Sequence, residues 1–172
     1  MAVYAGPEPV GNGLIYQLDA ANIKSYIGSG VTWNDCLDGA TARITRLDNG
    51  PIYFTDRGGV LGFDGLNDMG QVPNLFAFTI DGSVGLSYAT FELWYRGRGD
   101  TTGGYILTKP WNGNGQYNYL ILPTVFYLAG GTGSMKSTQL NHTSVDNGEW
   151  RHLVYWMNPT DMGYYFDGVE IS

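Results

Sequence analysis

The sequence predicts an all-β fold, two antiparallel sheets stacked as a sandwich, on three observations. Helical periodicity is nearly absent, because almost every window of ten residues holds Gly, Asn, Asp or Pro where a helix would be interrupted. Short runs rich in β-branched and aromatic residues recur instead at fairly even spacing, separated by turn residues. The composition agrees, since 26 Gly and 13 Tyr among 172 residues supply the turns and the strand faces. No linker, low-complexity tract, charge block or long repeat divides the chain, so residues 1–172 read as a single domain.

The strand-like runs cover residues 14–18, 52–54, 60–63, 89–96, 105–109, 116–122, 125–128, 134–139, 151–157 and 164–166. Asp56-Arg57-Gly58-Gly59 joins the second to the third, and Asp64-Gly65 follows the third. The run 89–96 alternates cleanly: Ala89, Phe91, Leu93 and Tyr95 share one face, Thr90, Glu92, Trp94 and Arg96 the other. The first set suits a core between sheets. The second mixes an aromatic with charges and suits a face open to water, a ligand or a neighbour. Asn112-Gly113-Asn114-Gly115 turns the next hairpin. The run 151–157 is apolar on both faces, with Leu153, Tyr155 and Met157 on one and Val154 and Trp156 on the other, as in a central, doubly covered strand. Asp146-Asn147-Gly148 precedes it, and Asp167-Gly168 follows 164–166.

Charge and cysteine usage narrow the function. Nine Lys and Arg against sixteen Asp and Glu leave a net charge of −7, which repels phosphate backbones and argues against a nucleic-acid ligand. Cys36 is the only cysteine, so no disulfide forms within the chain, and folding in a reducing cytoplasm is expected. Residues 1–9 carry neither a basic nor an apolar signal region, and no apolar run approaches the roughly 20 residues of a membrane span. No membrane insertion is expected.

Four stretches, in their order and spacing, carry a resemblance. The first is Gly13-Leu14-Ile15-Tyr16-Gln17-Leu18-Asp19-Ala20-Ala21-Asn22, then Ser25-Tyr26 and Gly30-Val31-Thr32-Trp33-Asn34-Asp35. The second is Phe63-Asp64-Gly65-Leu66-Asn67-Asp68. The third is Phe91-Glu92-Leu93-Trp94-Tyr95 with Leu107-Thr108-Lys109-Pro110-Trp111 and the turn after it, to Tyr119. The fourth is Glu149-Trp150-Arg151-His152-Leu153 with Tyr164-Tyr165-Phe166-Asp167-Gly168. Together they resemble the concanavalin A-like lectin/glucanase superfamily, in the laminin-G-like form found in bacteriophage virion proteins.

The resemblance implies a two-sheet jelly roll and a capsid or tail structural domain, made in the host cytoplasm and carried in the virion. Its implied partners are other virion chains, as a homo-oligomer or a hetero-assembly, and cell-surface carbohydrate. Members usually continue past the segment matching 164–168 with further strands. The chain is therefore expected to lack the last strands of that fold, as part of a longer gene product or with its sheet edge completed by another chain.

No enzyme is expected. Glycoside hydrolysis needs two carboxylates about the scissile bond, and related glucanases set them at alternate positions of one strand. Here Glu92 is flanked at i±2 by Thr90 and Trp94, and Glu8, Glu149 and Glu170 have no acidic partner at that spacing. His142 and His152 are the only histidines, no Gly-x-Ser-x-Gly elbow surrounds a serine, and a strand histidine such as His152 reads as a hydrogen-bonded sheet residue. Zinc and phosphate sites have no support either.

Two candidate sites stand beside plainer readings. Asp64, Asn67 and Asp68 cluster hard oxygen ligands that suit calcium, or they bond the backbone of their own turn. Trp111, Tyr117 and Tyr119 with Asn112 and Asn114, joined by Trp33 from the opening loop, offer ring faces for sugar C–H surfaces and amides for hydroxyls. The plainer reading makes Trp111 a loop anchor and the tyrosines cross-strand pairs. Besides glycan binding, a purely architectural module without ligand and a glycoside hydrolase are the alternatives.

Overall fold

The computed structural model describes residues 12–37, 43–72, 88–97, 106–108, 118–121, 125–129, 135–139, 147–158 and 160–171. Among them thirteen strands form antiparallel pairs, and the only helix is one 3-10 turn. The chain gathers into two compact units, residues 1–75 and 76–172.

The first unit holds β1 (Thr32–Asn34), β2 (Ile44–Asp48), β3 (Ile52–Phe54), β4 (Val60–Gly62) and β5 (Met69–Gln71). Strand β2 lies between β1 and β5, and β3 pairs with β4 across the 3-10 turn Asp56–Gly58. Residues 52–54 and 60–62 are thus strands, as their composition predicts. Strand β2 buries Thr45 and Leu47 and exposes Ile44 and Arg46. Its polar and apolar residues are shared between both faces, so alternation gives no hint of it.

Residues 14–18 are a correction to the sequence reading, because they form no strand. The Cys36 N–H donates to the Gln17 carbonyl at 2.8 Å, but the Gln17 N–H donates to the Asp35 carboxylate at 3.0 Å. A side chain thus takes the place of the backbone acceptor that a ladder would need. The same carboxylate oxygen accepts from the Leu37 N–H at 3.1 Å. Tyr16 reaches inward to hydrogen-bond the Thr45 hydroxyl.

The rest of the opening segment is tied by its short polar side chains. Asp19 and Asn22 accept from the N–H groups two residues on, at 2.9 and 3.0 Å, as Asx turns. Buried Ser25 donates to the Asn34 carbonyl at 2.5 Å and accepts from the Asp19 N–H at 3.2 Å. Tyr26, also buried, packs edge-on against Trp33 and Tyr53, with centroids 6.5 and 5.3 Å away. Gly59 makes room for Tyr53: at φ 118° it suits glycine, and a Cβ there would lie 2.3 Å from the Tyr53 hydroxyl.

The second unit holds β6 (Ala89–Tyr95), β7 (Leu107–Thr108), β8 (Asn118–Ile121), β9 (Val125–Ala129), β10 (Met135–Gln139), β11 (Arg151–Met157), β12 (Met162–Phe166) and β13 (Val169–Ile171). Strands β7 to β10 form a meander in chain order. The second sheet runs β6-β11-β12-β13, so β11 is interior, as its apolar content predicts. Strands β12 and β13 join through Asp167-Gly168, both at positive φ (49° and 83°), the conformation of a type I′ hairpin turn.

Register sorts the faces of this sheet. On one face Leu93, Leu153 and Phe166 align across three strands, as do Phe91, Tyr155 and Tyr164, and Ala89, Met157 and Met162. Leu153, Tyr155, Met157 and Tyr164 are buried, with Ile121 of β8, and form the core of the unit. Each such side chain contributes about 1.5–3 kcal/mol by leaving water. On the other face β11 is only half-buried.

Two tests follow from these cores. Ser25→Ala leaves the Asp19 N–H and the Asn34 carbonyl without their partner, and a loss of about 1–3 kcal/mol is expected in chemical denaturation. Burial, with smaller contributions from Tyr164 and Tyr95, holds the Tyr155 phenol far above its ordinary value of 10.0. The unfolded chain then releases that proton near pH 10 while the folded chain keeps it. Stability from this group is complete below pH 10 and falls above it, by about 1.4 kcal/mol per pH unit. Denaturation midpoints measured from pH 8 to 11 should show that decline, and Tyr155→Phe should make it shallower.

Candidate functional site

The half-buried side of the β6-β11-β12-β13 sheet collects the chemistry of the second unit. The register that aligns Leu93 with Leu153 also sets Trp94 opposite His152, Glu92 opposite Val154 and Thr90 opposite Trp156. Strand β12 adds Tyr165 beside Val154 and Gly163 beside Trp156, and β13 adds Glu170 beside Tyr165. Trp94 stands 67% exposed, a large apolar ring held in water by the alternation of β6. The alternation predicted from the sequence for 89–95 is present, with Thr90, Glu92 and Trp94 on the exposed side.

Three side chains make a fixed cluster. The Trp94 and His152 rings lie 5.1 Å apart at an interplanar angle of 33°. His152 Nε2 meets the Glu92 carboxylate at 2.9 Å, donating to an acceptor-only group. The backbone under His152 is clamped by the hairpin turn: its N–H donates to Asp167 Oδ1, and its carbonyl accepts from the Asp167 N–H, both at 2.9 Å. Arg151 Nη1 donates to the second Asp167 oxygen at 2.9 Å, with its guanidinium 5.2 Å from the Phe166 ring centroid. His152 is thus the hydrogen-bonded sheet residue that the sequence predicts.

Farther along the face, Trp156 depends on a missing side chain. A Cβ on Gly163 would sit 2.8 Å from Trp156 Cζ2, so the indole lies against the bare backbone of β12. The Trp156 Nε1 is buried and makes no hydrogen bond.

Exposed ring, imidazole and carboxylate together can cover an apolar C–H surface and bond adjacent hydroxyls. Two-carboxylate chemistry is poorly served on this face. Glu92 and Glu170 stand three strands apart, about 14 Å at ordinary strand spacing, beyond the roughly 5–9.5 Å that glycoside hydrolysis uses.

Two of the sequence candidates for the glycan face, Trp33 and Tyr119, lie in other strands. Trp33 lies in β1 of the first unit, half-buried against Tyr26, with its Nε1 buried and without a hydrogen bond. Tyr119 lies in β8, opposite Leu128. Trp111, Asn112, Asn114 and Tyr117 lie outside the described residues. In the loop before β5, Asp64 Oδ1 accepts from the N–H groups of Leu66, Asn67 and Asp68 at 2.8, 3.1 and 3.3 Å. Asp68 Oδ2 accepts from the Asp64 N–H at 2.9 Å, and the Asn67 carbonyl accepts from Asn49 Nδ2 at 2.6 Å. These bonds are the turn chemistry weighed against calcium. Among the described residues, no three His, Cys, Asp or Glu side chains gather as a metal site. The sequence pointed to the open face of β6 but missed its cluster: Glu92 and His152 lie 60 positions apart, and only the strand register joins them.

Comparison with protein-family models, curated proteins and solved structures finds no match to this chain. No helix among the described residues is long and apolar enough to cross a membrane.

Gly163→Ala tests the seat of Trp156. The added methyl must displace the indole, and a loss of about 1–3 kcal/mol is expected. Chemical denaturation with near-ultraviolet circular dichroism measures both the loss and the shift of the ring; an unchanged midpoint and spectrum would contradict the geometry.

Proposed function

We propose that the chain is a concanavalin A-like jelly-roll domain, laminin-G-like in form, of a bacteriophage virion structural protein. It assembles with other virion chains and binds host-surface glycans without cleaving them. The observation that carries the binding half is the exposed Trp94 beside the His152–Glu92 pair on a sheet face. The antiparallel, nearly helix-free architecture of the described residues supports the fold. So does the role of the opening segment, whose Asp19, Asn22, Ser25, Tyr26, Trp33, Asn34 and Asp35 bond and pack within residues 17–37, giving that run of residues a structural reason. The spacing of Glu92 and Glu170 supports binding over hydrolysis.

A specific observation favours the assembly half, and with it the purely architectural reading. In the first unit Ile23, Ile27, Val31, Ile44, Ile52 and Leu66 are all more than half exposed. Aliphatic surface of this kind suits burial against a neighbouring chain.

A glycan array probed with the whole protein, together with antibody labelling of intact particles, tests the two halves separately. Binding to a saccharide and labelling of the particle surface are expected. Labelling without binding to any glycan would leave the architectural module, and absence from particles would end the virion reading.

A further inference from the structure

We infer that the open face of the β6-β11-β12-β13 sheet binds a neutral polysaccharide chain, with one sugar on Trp94 and the chain running toward Trp156. The inference rests on the glycan-binding reading and adds to it the place, the charge class and the length of the ligand.

The place follows from exposure and fixation together. Trp94 is 67% exposed on a strand, so a large apolar ring is presented to whatever meets this face. The rings beside it do not bury it. Instead His152, tied to Glu92 at 2.9 Å and clamped through its backbone by Asp167, flanks it at 5.1 Å. A pyranose has an apolar C–H face rimmed by hydroxyls. Trp94 matches the face, and the Glu92 carboxylate held by His152 matches the rim as an acceptor for its hydroxyls. Held on strands rather than loops, the groups need little ordering on binding.

The class follows from charge. The charged groups of the face are Glu92 and Glu170 with Arg96, whose Nε donates to the Gly148 carbonyl at 2.7 Å, and His152, Thr90 and Tyr165 are its other polar members. The whole chain carries −7. Sulfated, phosphorylated or uronic chains meet net repulsion from the two carboxylates and the acidic chain, offset at one end by Arg96, whereas a neutral chain meets none. A protein partner would want an apolar centre without charge, and the charged Glu92 stands beside Val154 in the row between the two tryptophans.

The length follows from the register. Trp94 stands at the 94/152 pair and Trp156 at the 90/156 pair, four residues along and one strand across, about 14 Å apart. Glu92, Val154 and Tyr165 lie in the row between. One sugar cannot reach both rings, but an extended oligosaccharide can. Affinity should therefore climb with chain length until both ends of the row are filled.

Titration of the whole protein with oligosaccharides of one to six sugars, read by tryptophan fluorescence and calorimetry, tests this. The probes are neutral series (gluco-, manno- and chito-oligosaccharides) and acidic ones (alginate and hyaluronan fragments). One neutral series should bind at least tenfold more tightly as tetrasaccharide than as disaccharide, with the acidic series weaker. Trp94→Ala, at an exposed position that leaves the fold intact by circular dichroism, should weaken binding at least tenfold, and Glu92→Gln several-fold. Loss of binding in Trp111→Ala with full binding in Trp94→Ala would overturn this placement while keeping the glycan reading. Preference for the acidic series, or no gain beyond one sugar, would also overturn it. No binding to any probe would overturn both.

Discussion

The second unit depends on how strand β11 is held. It is paired along both edges, to β6 and to β12, and its Leu153, Tyr155 and Met157 lie in the core. Because a strand sends alternate side chains to opposite faces, fixing those three residues also fixes His152, Val154 and Trp156 on the other side. A slip of one residue would exchange the two sets. It would bring His152 and Trp156 into the core and put Tyr155 in water. The apolar core therefore sets the geometry of the open face, and Trp94 meets His152 only because Leu93 meets Leu153.

The first unit solves a different problem. Its sheet is short, with three-residue strands on either side of β2, and such strands bury little by themselves. Polar side chains supply what the ladder does not: the Asp35 carboxylate and the Ser25 hydroxyl bond backbone groups that no neighbouring strand meets. Local side-chain bonds of this kind order irregular backbone that no ladder holds. Around them Tyr26, Trp33 and Tyr53 pack edge to face. The aromatic content of the chain thus does two kinds of work, filling cores in both units and lining a sheet face in the second.

How much of this was legible depends on where polarity and periodicity agree. In β6 they agree at every position, and both its faces can be read from residues 89–95. In β11 the double apolar pattern marks an interior strand, and Asp167-Gly168 marks a hairpin turn; both are present. In β2 they disagree, since Ile44 points outward while Thr45 points inward. Residues 14–18 have a strand-like composition, but the Gln17 N–H bonds a carboxylate instead of a strand, a choice made by Asp35 from 18 positions away. The site was half legible. Trp94 on an open face is a local property, but the His152–Glu92 pair is set by register, which the local pattern does not encode.

Amide hydrogen exchange resolved along the second unit asks whether β11 is the element that orders the rest. If it is, the amides of residues 153–157 exchange more slowly than those of the edge strand β13 at 169–171, and only by opening of the whole sheet. Exchange as fast in 153–157 as in 169–171 would contradict that arrangement and leave the open face without its support.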